Sequence, residues 1–262
     1  MLEAGFEANG LLKRLEPSVR IQFQMQFQPV ELCRGDTLHS PGQKVDRIYF
    51  PIAGLVAVLS ETLAGESVQT GMIGCDGAVG VAEARGSAQP LAKSVVQVPG
   101  RAMRLSAEVY RGLYDASPRL RASVDRYIEM LLADARQSVV CNALHPVEAR
   151  LSRAILQALD RSCLERVLPL TQEALAQMLG SQRTTVAAFL SKMQRAGLVS
   201  SGRGTIEVQN RAALERMSCS CRPTLEFARR EIQAAVGAPL HHWSASPGDD
   251  WRDAPPRTAR LS

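Results

Sequence analysis

The spacing of apolar positions along the chain changes period partway through. From about Ile21 to Arg104 the sequence reads as short β-strands: in Ile21-Gln-Phe-Gln-Met-Gln-Phe27 apolar residues alternate with glutamine, the period of two that turns one face to a core and the other to water. Turn signals punctuate this stretch at Arg34-Gly35-Asp36, Ser40-Pro41-Gly42, Ala53-Gly54, Ala64-Gly65-Glu66, Gly74-Cys75-Asp76-Gly77 and Pro99-Gly100. Apolar runs such as Ile48-Tyr-Phe50 and Leu55-Val-Ala-Val-Leu59 lie between them. Many short strands so spaced predict a sandwich or barrel. Short helices are expected at its two ends, over about Leu11 to Arg20 and Ser106 to Tyr114.

From Pro118 the period becomes helical. Leu120, Val124, Tyr127 and Leu131 are spaced 4, 3 and 4, the rhythm of a helix that pairs with another, and Ala135, Ser138 and Asn142 continue the stripe. A helix is predicted over about 118–143. Its stripe suits either a homodimer seam or packing on the chain's own barrel. His145-Pro146 breaks it, because a residue before proline is pushed out of the helical region. A second helix then carries Val147, Leu151, Ile155 and Leu159.

After Leu168-Pro169-Leu170, Thr171 is placed to cap a helix through Leu179, with Leu175, Met178 and Leu179 on one side. Gly180 ends it. A tight turn through Ser181-Gln182 leads into a helix over Arg183 to Arg195, with Val186, Phe189, Leu190 and Met193 inward, and Ser200 to Val208 reads as a glycine-containing hairpin. Together these form a winged helix-turn-helix. In that geometry Gln182, Arg183, Thr184 and Thr185 open the second helix toward base edges in the major groove, while Thr171, Ser191, Lys192 and Arg203 sit near phosphates. Residues 169–222 hold 7 basic and 3 acidic side chains, so much of the chain's formal +5 lies on the segment that would meet DNA.

The 262 residues, 45% hydrophobic and 22% charged, are those of an ordinary globular protein of more than one domain. No apolar run reaches the ~18–20 residues of a membrane span, and Glu3 and Glu7 stand where a signal peptide carries positive charge, so the expected location is the cytoplasm, with no membrane partner. The six cysteines are accordingly read as free thiols. Cys219-Ser-Cys221 is the one close pair and has no histidine near it in sequence, so no metal site is expected. An enzyme would need a ligand cluster, a nucleophile elbow or a phosphate loop; the sequence shows none, and the four histidines at 39, 145, 241 and 242 form no paired motif in the strands. The rival reading is a signalling adaptor with a degenerate winged helix.

Over roughly residues 10–215 the chain resembles the Crp/Fnr family of bacterial transcription regulators. Arg34-Gly-Asp-Thr-Leu-His-Ser-Pro-Gly42 and Arg47-Ile-Tyr-Phe-Pro-Ile-Ala-Gly-Leu-Val-Ala-Val58 look like the opening strands of its cyclic-nucleotide-type β-roll, the helix from 118 like its dimerisation helix, and Thr171 to Val208 like its DNA-binding domain. The resemblance implies an α+β chain: a β-roll (double-stranded β-helix) sensor domain over 1–115, a long dimerisation helix over 116–144, a winged helix-turn-helix over 145–222 and a partly disordered C-terminal extension over 223–262. A helix over Thr224 to Val236 would begin that extension, and its Trp243 and Trp251 are unexplained. It also implies a homodimer, with Leu120, Val124, Tyr127, Leu131, Ala135 and Ser138 in the seam. That dimer would read a near-palindromic site on double-stranded DNA, with RNA polymerase as a further partner.

Members that bind cyclic AMP use a Glu for the ribose and an adjacent Arg and Ser for the phosphate. Here Ala78 stands at the Glu position and Ala92 and Lys93 at the other two, so cyclic AMP is not the expected effector. No cofactor is evident. Residues 1–32 lack the cysteines of the oxygen-sensing members, and His39 and Cys75 read as a surface histidine and a turn thiol rather than haem ligands. Cys33, Cys141 and Cys163 read as either redox-sensitive thiols or small core residues. Arg183 matches the family's guanine-reading arginine, whereas Thr184 stands where many members have Glu and Ala188 where some have a second Arg.

Overall fold

One long antiparallel ladder organises the N-terminal half of the computed structural model, which describes residues 2–86 and 89–234. Strands β1 (Gln28–Leu32), β2 (Thr37–His39), β3 (Arg47–Glu61), β4 (Ser67–Ile73) and β5 (Lys93–Ser106) form a sheet of order β1-β5-β3-β4, with β2 also on β5. The predicted runs 48–50 and 55–59 are thus one strand, and register shifts between Pro51 and Val56 bend it so that the sheet can roll. Inside lie Ile48, Phe50, Val56, Val96 and Met103; the Phe27 ring meets Phe6 at 4.9 Å and Phe50 at 6.0 Å, both edge-on.

The alternation over 21–27 is not a strand. Helix α1 (Leu2–Ala8) opens the chain, a 3-10 turn spans Leu12–Arg14, helix α2 (Pro17–Phe23) follows, and a second 3-10 turn covers Gln24–Gln26. Glu16 is extended before Pro17, which splits the single helix expected over 11–20. Two steps of a period-two pattern are also one i+4 step of a helix: Val19, Phe23 and Phe27 are buried at that spacing, while Ile21 and Met25 are 69% and 81% exposed. Pro17 at the first helical position favours the helix.

Helix α3 (Ala107–Ala116) is capped by Ser106, whose hydroxyl accepts from Val109 N at 3.2 Å. Helix α4 (Pro118–Leu144) is capped by Ser117 in the same way, at 3.0 Å from Leu120 N, and has proline at its first turn. It presents three faces. Leu120, Val124 and Tyr127 are buried in the core of their own roll, with Leu131 packed beside them. Leu120, Val124 and Tyr127, expected in the dimer seam, thus turn inward to their own roll. Tyr127 lies so close over Gly77 that a Cβ there would sit 2.1 Å from Cζ of its ring. A second face, with Gln137 and Cys141, meets α9. The third runs through Ile128, itself packed in part on the roll's core, then Leu132, Ala135 and Val139, again spaced 4, 3 and 4; Leu132 is 49% and Val139 70% exposed.

The C-terminal unit contains α5 (Val147–Ser162), β6 (Val167–Leu168), α6 (Gln172–Leu179), α7 (Arg183–Arg195), β7 (Val199–Gly202), β8 (Thr205–Val208), α8 (Arg211–Met217) and α9 (Cys221–Ala234), with a small sheet of order β6-β8-β7. The last helix begins before the predicted Thr224, and residues 235–262, including Trp243 and Trp251, lie outside the described residues. This unit's core of Leu151, Ile155, Leu175, Val186, Leu190 and Ile206 is continuous with Leu55, Met72 and Val98 of the roll. A buried guanidinium reinforces the joint: Arg161 on α5 pairs with Asp134 on α4, donates to Met72 O at 2.6 Å and lies 3.5 Å from Asp76. Burial opposes its charge, but the two carboxylates outweigh that and raise its pKa. Among the described residues no helix is long and apolar enough to cross a membrane.

Candidate nucleic-acid interface

Two helices and a wing build this surface. Thr171 caps α6, its hydroxyl accepting from Ala174 N at 3.1 Å, so one predicted phosphate contact already serves the helix, half-buried. Gly180 closes α6 at φ 54° and ψ 44°, the left-handed conformation that glycine adopts without strain. The chain then re-enters a helix within three residues. Gln182 occupies the N-cap of α7 yet makes no capping bond with its side chain, and the first turn carries no acid. The orphan N–H groups and the positive end of the helix dipole are thus left for an external anion. Gln182, Arg183 and Thr184 are exposed and Thr185 is half-buried, while Val186, Leu190 and Met193 fix the helix to the core.

The wing is a two-residue hairpin in which Gly202 pairs with Thr205 and Arg203 and Gly204 both have positive φ, 49° and 77°. That is the primed turn matching strand twist; it holds Arg203 outward at a backbone cost that glycine in its place would avoid. Ser201 Oγ donates to Gln194 Oε1 at 3.0 Å, tying the wing to α7. A groove between them is lined by Thr171, Gln172, Arg183 and Arg203. Ser191 is exposed, but Lys192 is not free: its ammonium lies 3.0 Å from Glu148 of α5. From the roll, Arg34 reaches Pro169 O at 2.5 Å and Gly204 O at 3.5 Å, a contact across 170 positions that no local pattern signals.

The pocket inside the roll is small. It has a volume of about 150 Å³ and is lined by Val58, Thr70, Ala78, Glu83, Ala92 and Ser94, with no cation among its lining residues. Ligand pockets typically run from about 300 Å³ upward, and an anionic nucleotide would meet a carboxylate there. His39, read as a surface residue, is buried, with Nε2 2.8 Å from Arg47 O; Cys75 is buried too, while Cys33 and Cys163 are exposed.

The expectation that no histidine approaches the Cys219–Cys221 pair is overturned. Cys141 from the last turn of α4, His145 at its C-cap, Cys219, and Cys221 at the start of α9 bring their ligand atoms within 4.8 Å of one another. Of the buried thiols, Cys141 is the one held ionised, down to about 4, by the hydrogen bond from Cys219 with help from Arg153 and His145. The signal was present in the sequence: residues 141 and 145 are one i+4 step apart at a helix end.

Residues 149–217 match the Crp-like helix-turn-helix domain. Over 196 residues the chain is 23% identical to the CRP-like cAMP-activated global transcriptional regulator of Mycobacterium tuberculosis, covering 72% of this chain and 88% of that one. Two solved structures share the fold. FixK2 from Bradyrhizobium japonicum superposes with a TM-score of 0.64 at 12% identity, covering 74% of this chain and 98% of that one. The transcriptional regulator TTHA1359 from Thermus thermophilus superposes with a TM-score of 0.60 at 22% identity, covering 73% and 98%. With the rolled sheet, the long helix and the helix-turn-helix in the same order, the chain is similar to the Crp/Fnr regulators, and its residues 149–217 are a Crp-like DNA-binding domain.

Proposed function

We propose that the protein acts as a homodimer on a near-palindromic operator, reading base edges with the first turn of α7 and gripping phosphates with its wing. The observation that carries this reading is the exposed Gln182-Arg183-Thr184 face on a helix whose N-terminus lacks an internal cap, beside an outward Arg203. Arg183 is the guanine reader; Thr185 and Ser191 flank it, and Lys192 reaches a phosphate by releasing Glu148. The division of labour is a sensor over 1–115, a dimer helix over 116–144 and a reading domain over 145–222, with RNA polymerase as the partner of the DNA-bound dimer.

The dimer seam is the third face of α4, Ile128, Leu132, Ala135 and Val139. It is turned by roughly 70° around the helix from the stripe expected of the sequence. Ala135 alone belongs to both. The roll's effector is not cyclic AMP, a reading supported by Ala78 and Ala92 and by the size and lining of the pocket. Selecting bound sequences from a random DNA library with the ligand-free protein tests the proposal. An inverted repeat with half-sites about one helical turn, ~34 Å, apart is the expected result; an enriched single half-site would overturn the dimer, and binding without sequence preference would overturn the role of Arg183.

A further inference from the structure

The cluster at the end of α4 has the composition and the dimensions of a closed metal site. Three cysteines and one histidine arrive from two distant places in sequence, Cys141-x3-His145 and Cys219-x-Cys221, and the three sulfurs are buried. Cys141 Sγ lies 3.5 Å from Cys219 Sγ, and Cys221 Sγ lies 3.3 Å from His145 Nδ1. A tetrahedral zinc with Zn–S of ~2.3 Å and Zn–N of ~2.0–2.1 Å needs its S–S edges about 3.8 Å and its S–N edges about 3.5 Å long. The protein already holds one edge of each kind within about 0.3 Å of that length. We propose that Cys141, His145, Cys219 and Cys221 bind one Zn²⁺ ion as a structural site.

Four further points support the assignment. Three thiolates and an imidazole form a soft donor set that selects zinc over the hard cations. An iron–sulfur cluster interposes bridging sulfides between its irons and spreads its ligands more widely than the 4.8 Å limit of this group. Around the ligands, Gln137 Nε2 donates to Cys221 Sγ at 3.1 Å, the kind of outer contact that orients a metal-binding sulfur. Pro146 holds His145 extended at φ −115° and ψ 143°, so the ring is aimed by the chain break itself. Four protein ligands leave no open position for catalysis. What the ion does follows from where its ligands lie: it pins the end of the long helix, the entry to α5 and the α8–α9 junction to one point, fixing how the DNA-binding unit hangs from α4.

The test uses the full chain without a polyhistidine tag, purified reduced. Elemental analysis should give one zinc per chain. Refilling the chelated protein with Co²⁺ should give the intense visible bands of tetrahedral thiolate-bound cobalt, and chelation should expose three further thiols to a colorimetric reagent beyond the already exposed Cys33 and Cys163. The Cys219→Ser, Cys221→Ser double variant should lose the metal. Should it fail to fold, His145→Cys keeps one metal per chain and moves the cobalt spectrum toward four sulfurs. Zinc absent with no Co²⁺ bound, iron with acid-labile sulfide in its place, a Cys141–Cys219 disulfide in peptide maps of the alkylated protein, or a cobalt spectrum indifferent to His145→Cys would each overturn the assignment.

Discussion

The joint beneath α4 and the reading face of α7 use the same kinds of side chain in opposite states. At the joint, Arg161 is 4% exposed and closed in by Asp134, Asp76 and Met72 O. On α7, Arg183 is exposed at the positive end of a helix, where the dipole disfavours a cation and no acid offsets it. The first arginine serves the fold; the second gains nothing from it. The difference teaches where to separate stability from function: charges paired within the chain hold the two units together, and the charge left unpaired at the start of α7 is the one offered to DNA.

The largest effect is expected at the joint. Arg161→Met leaves Asp134 buried without its partner, and breaking a buried pair in this way costs about 3–5 kcal/mol. Denaturant unfolding should show stability falling by that amount. Adding Asp134→Leu should recover part of the loss, because it removes the stranded charge; a double variant as unstable as the single one would show that packing, not charge, is what Arg161 supplies.

Next comes the contrast between two faces of one helix. Leu132→Asp or Val139→Asp places a charge in the proposed seam, costing at least about 3 kcal/mol, or roughly a hundredfold in dimer Kd. Sedimentation should then show monomers that still unfold cooperatively. Leu120→Ala on the inward face should instead lower stability by about 2–5 kcal/mol and leave the association state unchanged. If Leu120→Ala dissociated the dimer and Leu132→Asp did not, the seam would return to the stripe first expected.

Arg183→Ala sharpens the comparison from the other side. DNA affinity should fall by about 1–3 kcal/mol, with preference relaxed at one base pair, while thermal stability should hold or rise slightly as an unfavourable charge leaves the helix start. Equal loss on every sequence would move Arg183 from base to phosphate.

Much of this was legible in the sequence, and the reasons for the rest are physical. The α6–turn–α7 unit could be read because each of its signals is local: a threonine cap, a glycine in the left-handed region, apolar positions at helical spacing. The error at 21–27 arose because Phe23 and Phe27 satisfy both periods, and only packing against Phe6 and Phe50 decides between them. The inward turn of three residues expected in the seam has a similar origin. Leu120, Val124 and Tyr127 carry an a/d rhythm, but the roll reaches them first, and no one-dimensional pattern says which partner claims a stripe. His145 was missed as a neighbour of Cys221 because 76 positions separate them, a distance closed by α9 folding back along α4.

The smallest effect falls on a residue that stands between the two states. Lys192 lies on the proposed DNA side of α7, 62% exposed, yet it is paired at 3.0 Å with Glu148, a residue of the joint's own helix α5. An exposed pair of this kind contributes less than about 1 kcal/mol, so Lys192→Ala should barely move the unfolding midpoint. If Lys192 leaves Glu148 for a phosphate, the same variant should weaken binding evenly across sequences and reduce the slope of log affinity against log salt by about one. Glu148→Gln should then strengthen binding at unchanged sequence preference, since the lysine no longer has a carboxylate to leave. An unchanged salt slope in Lys192→Ala would return the residue to the fold, with the Glu148 contact as its whole role.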